Sequence, residues 1–372
     1  MSQLTVVYVV STLGHTGPTS QLLNIVKYLD KERTLPRIIT LSREPTKTLK
    51  PEFDVLNVPI YSLGLGRIEG HLHGHTSLQK LLAIIKPDII HSQGIRADLL
   101  SARLANYSYR FATQRNIPEH DYPLLYGKFL GSIFAYIHRQ ALARIPYLVA
   151  CSTSIADNNK MNGIDSIVVK NSVDLDLCTN LPTQEQRLVT RDSLNQDRDG
   201  CVFIYTGPMI RRKNPDVLIK SFLEWTKHSR HQLWLLGDGN LIKECRRLAR
   251  GHPNIMVLGH VSDISPYLQS ADVFVSASTS EGFPNSVLEA LLCGLSLILS
   301  DIPPHRELVE KHPKIGRLFP LGDTTELSKG FEYIKIDCTT RHAAHDLATS
   351  EYSAKLMAQR YMALYEMTCP KV

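Results

Sequence analysis

The sequence predicts an α/β protein made of two parallel-sheet domains in tandem, and three observations predict it. At 372 residues the chain exceeds one ordinary core, because a domain usually takes about 100 to 200 residues. Short apolar runs such as Val6-Val7-Tyr8-Val9-Val10 are followed by apolar residues at helical spacing, the alternation of βαβ units. Finally, Cys201-Val202-Phe203-Ile204-Tyr205 starts the same pattern again, with its own glycine loop and helix.

Composition narrows the class. Hydrophobic content of 43% and charged content of 21% are those of a soluble globular protein. No apolar run approaches the roughly 18 residues of a membrane span. The amino terminus enters a strand without a basic n-region or cleavage site, so a cytoplasmic location is expected. Seven cysteines, Cys151, Cys178, Cys201, Cys245, Cys293, Cys338 and Cys369, show neither CxxC spacing nor a metal-type pairing with His and read as reduced thiols. The net charge of +6 sits mostly in the first half: residues 1–180 hold 19 Lys/Arg against 14 Asp/Glu, and residues 181–372 hold 23 against 22. A mildly basic half suits a phosphate-bearing substrate or an anionic lipid surface. Nucleic acid is not expected, because the cations are dispersed and no helix-turn-helix, zinc-finger or aromatic RNA motif accompanies them.

In chain order, the first strand leads through a loop with Gly14 and Gly17 into a helix with Leu22, Leu23, Ile25, Val26 and Leu29. Free N–H groups at such a helix start suit a diphosphate, although the glycine spacing is not the dinucleotide fingerprint and the P-loop lysine is missing. Strands are expected at 37–41 and 55–61. The Gly and His segment from Gly64 to Gly74, with His71, His73 and His75, reads as a mobile loop. Its HxHxH pattern has no nearby Cys or carboxylate cluster to make a metal tract. A helix at 78–85 precedes a strand that puts His91 at its carboxyl end, and a strand near 110–113 runs into a polar, aromatic loop bracketed by Pro118 and Pro123. Residues 124–145 carry Leu125, Phe129, Ile133, Tyr136, Ile137 and Leu142 as an apolar series among Lys128, Arg139 and Arg144. Such a basic amphipathic helix can lie on a membrane surface, and peripheral membrane contact is one expectation. Packing against the core is the commoner use and the favoured one. Strands at 147–151 and 167–169 close this half, and residues 179–200, polar and without a core pattern, are expected to be the domain linker.

In the second half the residues at the strand tips are those a phosphorylated ligand needs. Gly207 precedes Arg211, Arg212 and Lys213; Gly237-Asp238-Gly239 follows the next strand; Gly259-His260-Val261 follows the third. Cations near a diphosphate offset charge on a leaving group. The centre of this half is Ser280-Glu281-Gly282-Phe283-Pro284-Asn285-Ser286-Val287-Leu288-Glu289, where a strand turns into a helix and open α/β sheets bind ligands. Two readings of Glu289 stand side by side. With Ser286 it has the spacing of a capping box, or it serves the ligand together with Glu281, which lies beside a glycine that lets backbone approach closely.

These motifs resemble the donor domain of retaining GT-B glycosyltransferases of the family four type (glycosyl transferases group 1). Glu281 to Glu289 fits the family's E-x7-E pattern, followed by Asp301 and Glu307; Gly207 through Lys213, Gly237-Asp238-Gly239 and Gly259-His260-Val261 support it. Asn171-Ser172-Val173-Asp174 is similar to the family's hinge. The resemblance implies two Rossmann-like domains facing each other across a cleft: residues 1–180 with a terminal helix in 353–372 as the acceptor domain, and 181–352 as the nucleotide-sugar donor domain. It further implies that Glu289 bonds the nucleotide ribose and Glu281 the donor sugar's hydroxyls. Gly282, Phe283 and Asn285 lie beside sugar and phosphate, Arg212 and Lys213 neutralise the diphosphate, Val261 meets the base, and Gly17 reaches the phosphates from the other domain. No metal and no cofactor beyond the nucleotide sugar are implied, and no DxD-type carboxylate site is present. Two positions depart from the family. Pro208 stands where Arg often follows the glycine, leaving Arg211 or Arg212 to serve. Arg115 stands where many members carry an active-site His, so that Arg115, Asn116, His120 and His91 are the acceptor-side candidates.

The function implied is transfer of a sugar from a nucleoside diphosphate donor, UDP- or GDP-linked, to a hydroxyl of a glycan or lipid-linked acceptor during assembly of a cell-surface polysaccharide. A nucleotide-sugar epimerase and a non-catalytic nucleotide-sugar-binding subunit are the alternatives.

Overall fold

A computed structural model of the chain describes residues 3–370 except 195, 197 and 227–229, and leaves aside the side chains of residues 67 and 71. The chain divides into two units, residues 1–172 with 354–372, and residues 173–353.

The first unit runs β1 (Leu4–Val10), α1 (Gly17–Tyr28), β2 (Thr34–Thr40), α2 (Lys50–Val55), β3 (Ile60–Ser62), α3 (Arg67–Ile85), β4 (Ile89–Gln93), α4 (Ile95–Ser101), β5 (Arg110–Gln114), α5 (Pro118–Tyr126), α6 (Lys128–Leu142), β6 (Tyr147–Ala150), α7 (Thr153–Met161) and β7 (Ile167–Val168). Its strands pair in parallel in the order β3-β2-β1-β4-β5-β6-β7. Strand β1 shows why the apolar runs lack polar alternation: Val6 and Tyr8 join a core with Leu22 and Ile25 of α1, while Val7 and Val9 join another with Leu78 and Leu82 of α3. A strand covered on both faces is apolar throughout.

The second unit runs α8 (Gln184–Ser193), β8 (Val202–Thr206), α9 (Pro215–Trp225), β9 (Gln232–Leu236), α10 (Ile242–Ala249), β10 (Ile255–Gly259), α11 (Ser265–Ser270), β11 (Val273–Ser276), α12 (Asn285–Leu292), β12 (Ser296–Ser300), α13 (Pro303–Val309), β13 (Gly316–Phe319), α14 (Thr324–Tyr333) and α15 (Cys338–Glu351). The strand order is β10-β9-β8-β11-β12-β13, again parallel. Phe203, Phe222 and Phe331 pack edge to face, with ring centroids 5.0 to 5.9 Å apart, and anchor one side of this sheet.

The last helix, α16 (Ala354–Thr368), belongs to the first unit. Its Met357, Tyr361 and Tyr365 enter the core of Val6 and Tyr8. Their hydroxyls are satisfied inside it: Tyr365 bonds His91 Nδ1 at 2.5 Å and lies 3.2 Å from the Tyr8 hydroxyl, and Tyr361 bonds Thr113 Oγ1 at 2.9 Å. Buried tyrosines without such partners would cost the core about 1–3 kcal/mol each.

Several expectations are corrected here. The boundary between the units falls within the Asn171–Asp174 segment, after Ser172. Residues 179–200 are no linker, since α8 packs on the second unit through charge: Arg187 and Arg191 are buried and both grip Asp272, which also accepts the Val202 N–H at 2.7 Å. A helix held by buried arginines shows no apolar stripe to find. The Gly and His segment is helix α3, started by Glu69, which accepts the Gly66 N–H at 3.0 Å. Gly70 and Gly74 face Arg96 and Leu100 of α4, so the glycines there serve close packing. His73 and His75 stand on this helix, the His71 side chain lies outside the described residues, and among the described residues no group of three or more His, Cys, Asp and Glu could hold a metal. Residues 55–61 form the end of α2 and the short β3. The loop expected between Pro118 and Pro123 is α5, with Pro118 in the first turn, where its missing N–H is harmless. The amphipathic helix breaks at Gly127, and α6 turns its small residues inward: Gly131, Ala135 and Ala141 are buried while Phe129, Leu130 and Tyr136 are exposed. No helix of the described residues is long and apolar enough to cross a membrane.

Candidate functional site

Open parallel sheets offer a crevice where the strand order reverses, and in the second unit that reversal lies between β8 and β11. The loops leaving these two strands carry the basic run and the glutamate stretch. They are bonded to each other: the Thr279 N–H donates to the Arg212 carbonyl at 2.8 Å, and Asn214 Nδ2 donates to the Ala277 carbonyl at 3.3 Å. Arg211–Lys213 form a single tight turn that brings Arg212 and Lys213 to Glu281.

Glu281 is clasped. Its Oε1 accepts from Lys213 Nζ and its Oε2 from Arg212 Nη1 at 3.1 Å, while the same guanidinium donates to the Ser280 carbonyl. Burial by itself would raise this carboxyl, but Lys213 and then Arg212 outweigh it and hold the pKa at about 2. The carboxylate is therefore fixed in its charged form, and two cations against one anion leave one positive charge over for a ligand. The neighbourhood adds to it, since α12 begins at Asn285 directly after this loop, which sets the positive end of the helix dipole beside it. Gly282 and Phe283 are buried, and the Phe283 ring rests 5.6 Å from that of Tyr352.

The capping-box reading of Glu289 fails. The cap residue is Pro284, which has no side chain able to bond a backbone N–H, and Ser286 already lies inside the first turn. Glu289 is half-buried, and burial pushes its carboxyl up to about 7, with Lys213 offsetting only part of the penalty. One glutamate of the pair is locked ionised, and the other is poised to gain or lose a proton near neutrality.

The glycine loops have an internal reason for their glycines. The Gly207 N–H bonds the Leu236 carbonyl at 2.9 Å and the Met209 N–H bonds the Asp238 carbonyl at 2.9 Å, so the two strand tips lie against each other. A Cβ on Gly237 would stand 1.8 Å from the Gly207 carbonyl oxygen, and its φ of +139° also favours glycine. Asp238 is exposed and accepts the Gly239 N–H at 2.7 Å. Val261 lies half-buried just beyond β10.

One residue beside this site was not anticipated from the sequence. His305 on α13 is fully buried, donates Nδ1–H to the Ser300 carbonyl at 2.7 Å, and leaves Nε2 without a partner among the described residues. Burial lowers it to about 4, although Glu281 pulls the other way. It is thus a neutral imidazole within electrostatic reach of Glu281 and Lys213. Its position just past a strand's carboxyl end, in Asp301-Ile302-Pro303-Pro304-His305, was the signal that could have found it. Asp301 itself is engaged by Arg306 through both oxygens.

The first-unit candidates divide. His91 is corrected: it is fully buried, and its second nitrogen bonds Thr113 Oγ1 at 2.8 Å, so both nitrogens serve the core. Burial, reinforced by Arg115, lowers its pKa to about 3 and keeps it neutral. Arg115 leaves the tip of β5 half-buried, donating Nε to Gln93 Oε1 at 3.3 Å and Nη1 to Asn171 Oδ1, while its Nη2 is buried without a partner among the described residues. Asn116 Nδ2 donates to Asp121 at 3.1 Å and so helps to shape the start of α5; His120 is exposed on that helix. Gly17 opens α1 directly after Thr16, whose hydroxyl caps the helix.

Residues 16–177 match the glycosyltransferase family 4 domain and residues 200–334 match the glycosyl transferases group 1 domain. The O-antigen biosynthesis glycosyltransferase WclY of Escherichia coli is 25% identical over 375 residues, covering 97% of each chain. An uncharacterized glycosyltransferase of Methanocaldococcus jannaschii, MJ1059, is 26% identical over 236 residues, which are 60% of this chain and 57% of that protein. Among solved structures, HepE of Anabaena in complex with UDP superposes with a TM-score of 0.80 at 17% identity, covering 98% of this chain and all of the other.

Proposed function

The chain belongs to the group 1 glycosyltransferases of GT-B fold, and from that premise we propose that it moves a sugar from a nucleoside diphosphate donor to an acceptor hydroxyl with retention of anomeric configuration. The observation that carries the reading is the clasp of Glu281 by Lys213 and Arg212 at the β8–β11 switch point. A diphosphate placed there meets the surplus positive charge and the positive end of the α12 dipole, which lower the energy of the leaving group as its bond to the anomeric carbon breaks. The acceptor oxygen bonds that carbon on the face the diphosphate leaves, and its proton passes to a departing phosphate oxygen. Such a step asks the protein for positioning and charge, not for a covalent nucleophile.

Glu289 is proposed to accept the ribose hydroxyls, with Val261 backbone at the base. Glu281, besides holding the cations, is proposed to receive donor sugar hydroxyls on its remaining lone pairs. In the first unit, the unpartnered Nη2 of Arg115 suits a phosphate or hydroxyl of a glycan or lipid-linked acceptor. A UDP-linked donor is favoured because HepE was solved with UDP and with UDP-glucose. Assembly of a cell-surface polysaccharide is the setting the E. coli relative's name supports.

The test is a thermal-shift screen against UDP-, GDP-, ADP- and CMP-sugars, followed by transfer with the stabilising donor and NMR of the product's anomeric proton. Stabilisation by one donor class and a product of unchanged anomeric configuration support the proposal. An inverted product overturns retention. Conversion of the donor to an epimer with no acceptor present overturns transfer.

A further inference from the structure

At the tips of β4 and β5 two buried nitrogens have nothing to donate to. Gln93, the last residue of β4, is only 6% exposed, and its Nε2 has no partner among the described residues. Arg115, the first residue past β5, leaves its Nη2 in the same condition. The two side chains are tied together, since the Arg115 Nε–H donates to Gln93 Oε1 at 3.3 Å. On the other side Asn171, also buried, accepts from Nη1. Two neutral amides thus hold the guanidinium in one orientation.

Neutral partners leave the place unfinished. The Nε–H and Nη2–H edges of a guanidinium point the same way, and a carboxylate in the place of the Gln93 amide would take both. An amide supplies one oxygen and, next to it, an NH2 group that can only donate. Turning the amide over gives no relief, because Nε2 would then stand against the Arg115 Nε–H. Two buried donors therefore flank a single hydrogen bond, an arrangement that is costly unless something outside the chain supplies the oxygens. Gln114 Oε1 is a buried acceptor without a partner, but it comes within bonding distance of neither nitrogen.

Charge decides which oxygens. The carboxylates of the helices around this tip are engaged elsewhere: Glu119 faces Arg139 at 3.3 Å, Asp121 accepts from Asn116 at 3.1 Å, and Asp98 accepts from Ser92 at 2.6 Å and lies 2.9 Å from His138 Nε2. His91, Tyr361 and Tyr365, which feel the guanidinium's field, are fully buried and neutral. Among the described residues Arg115 therefore has no counter-ion. Space is present as well, because Gly94 is exposed and a Cβ there would meet nothing within 4 Å. A phosphate brings at least one oxygen more than a carboxylate, and no third buried donor at these two tips lacks a partner among the described residues. We propose that Gln93 Nε2 and Arg115 Nη2 form a two-donor seat for the carboxylate of an acidic sugar, so that the acceptor glycan carries a uronic acid.

The proposal rests on the reading of Arg115 as an acceptor residue, and its test reads binding directly rather than transfer. Methyl glucuronide, methyl glucoside and glucose 6-phosphate are each titrated against the full chain by ligand-observed NMR, at low and high salt. The glucuronide is expected to bind about tenfold more tightly than the glucoside or better, with the preference shrinking at high salt. Gln93→Glu supplies the second oxygen from within the chain, so the preference should vanish while the melting temperature stays at or above the parent's. Arg115→Gln removes the charge and should abolish the same preference, which keeps the test open if the first variant fails to fold. Equal affinity for the two glycosides overturns the proposal. So does a glucuronide preference that survives either variant in folded form, or tighter binding of glucose 6-phosphate that Arg115→Gln removes. A chain that transfers sugar to neutral acceptors without preferring glucuronide keeps the proposed function and loses this seat; one that prefers glucuronide but transfers nothing does the reverse.

Discussion

Glu289→Gln should make the unliganded protein more stable above neutral pH, although it removes a residue assigned to the ligand. The Glu289 carboxyl is raised from 4.5 to about 7 in the fold, so between those values the folded state holds a proton that the unfolded chain has released. Stability must then fall as pH rises through this window. Every pH unit between the two values is worth about 1.4 kcal/mol, which puts the cost of ionised Glu289 at roughly 3 kcal/mol above pH 7 and at nothing below about pH 4.5. Glutamine keeps the shape and carries no charge. In a unit of about this size 1 kcal/mol moves the midpoint by roughly 2–4 °C, so the variant should melt several degrees higher at pH 8 and only about a quarter as far above the parent near pH 5. The assay is calorimetry of both proteins from pH 5 to 8.5, following the transition that a nucleotide shifts. A variant that melts no higher at pH 8, or that differs from the parent equally at pH 5 and pH 8, refutes the reasoning.

Other consequences are as direct. If ribose hydroxyls donate to Glu289, they favour its charged form, so nucleotide binding near pH 7 should release a proton, visible as a buffer-dependent heat in titration calorimetry and absent in Glu289→Gln. Lys213→Ala should lower turnover by about 100-fold or more, measured as transfer from the identified donor at saturating acceptor. Gly237→Ala puts a Cβ 1.8 Å from the Gly207 carbonyl oxygen at a positive φ, and urea unfolding should show a loss of roughly 2–4 kcal/mol. Arg115→Ala should raise the acceptor KM by about tenfold and leave the donor's thermal shift unchanged.

The candidate site was legible because its parts sit at strand tips, and strand tips announce themselves as apolar runs ending in glycine and polar residues. Glu281, Arg212 and Lys213 lie 68 and 69 residues apart in sequence, yet each follows a strand's carboxyl end, and a parallel sheet brings such ends together. Where packing relied on something other than apolar side chains, the pattern was silent. Helix α8 is tied by Arg187 and Arg191 to Asp272, α3 packs through glycine, and α6 hides glycine and alanine while showing phenylalanine. Periodicity reports which residues share a face, but it does not say which face looks inward. His91 failed for a related reason. It lies in the middle of β4, not at its carboxyl end, and α16, more than 250 residues later in the chain, packs over it.

That covering helix sets an order of assembly. The first unit draws core residues from α16, which follows the whole second unit in sequence, so during synthesis its sheet is made well before the helix that covers it. The second unit is one continuous segment and can finish while the first still lacks Tyr361 and Tyr365. A chain released before residue 354 therefore holds the whole of the second unit and a first unit whose His91 and Tyr8 still await their partners. For the same reason a gene fragment ending at residue 172 omits part of its own core, whereas joining residue 172 directly to residue 354 restores it.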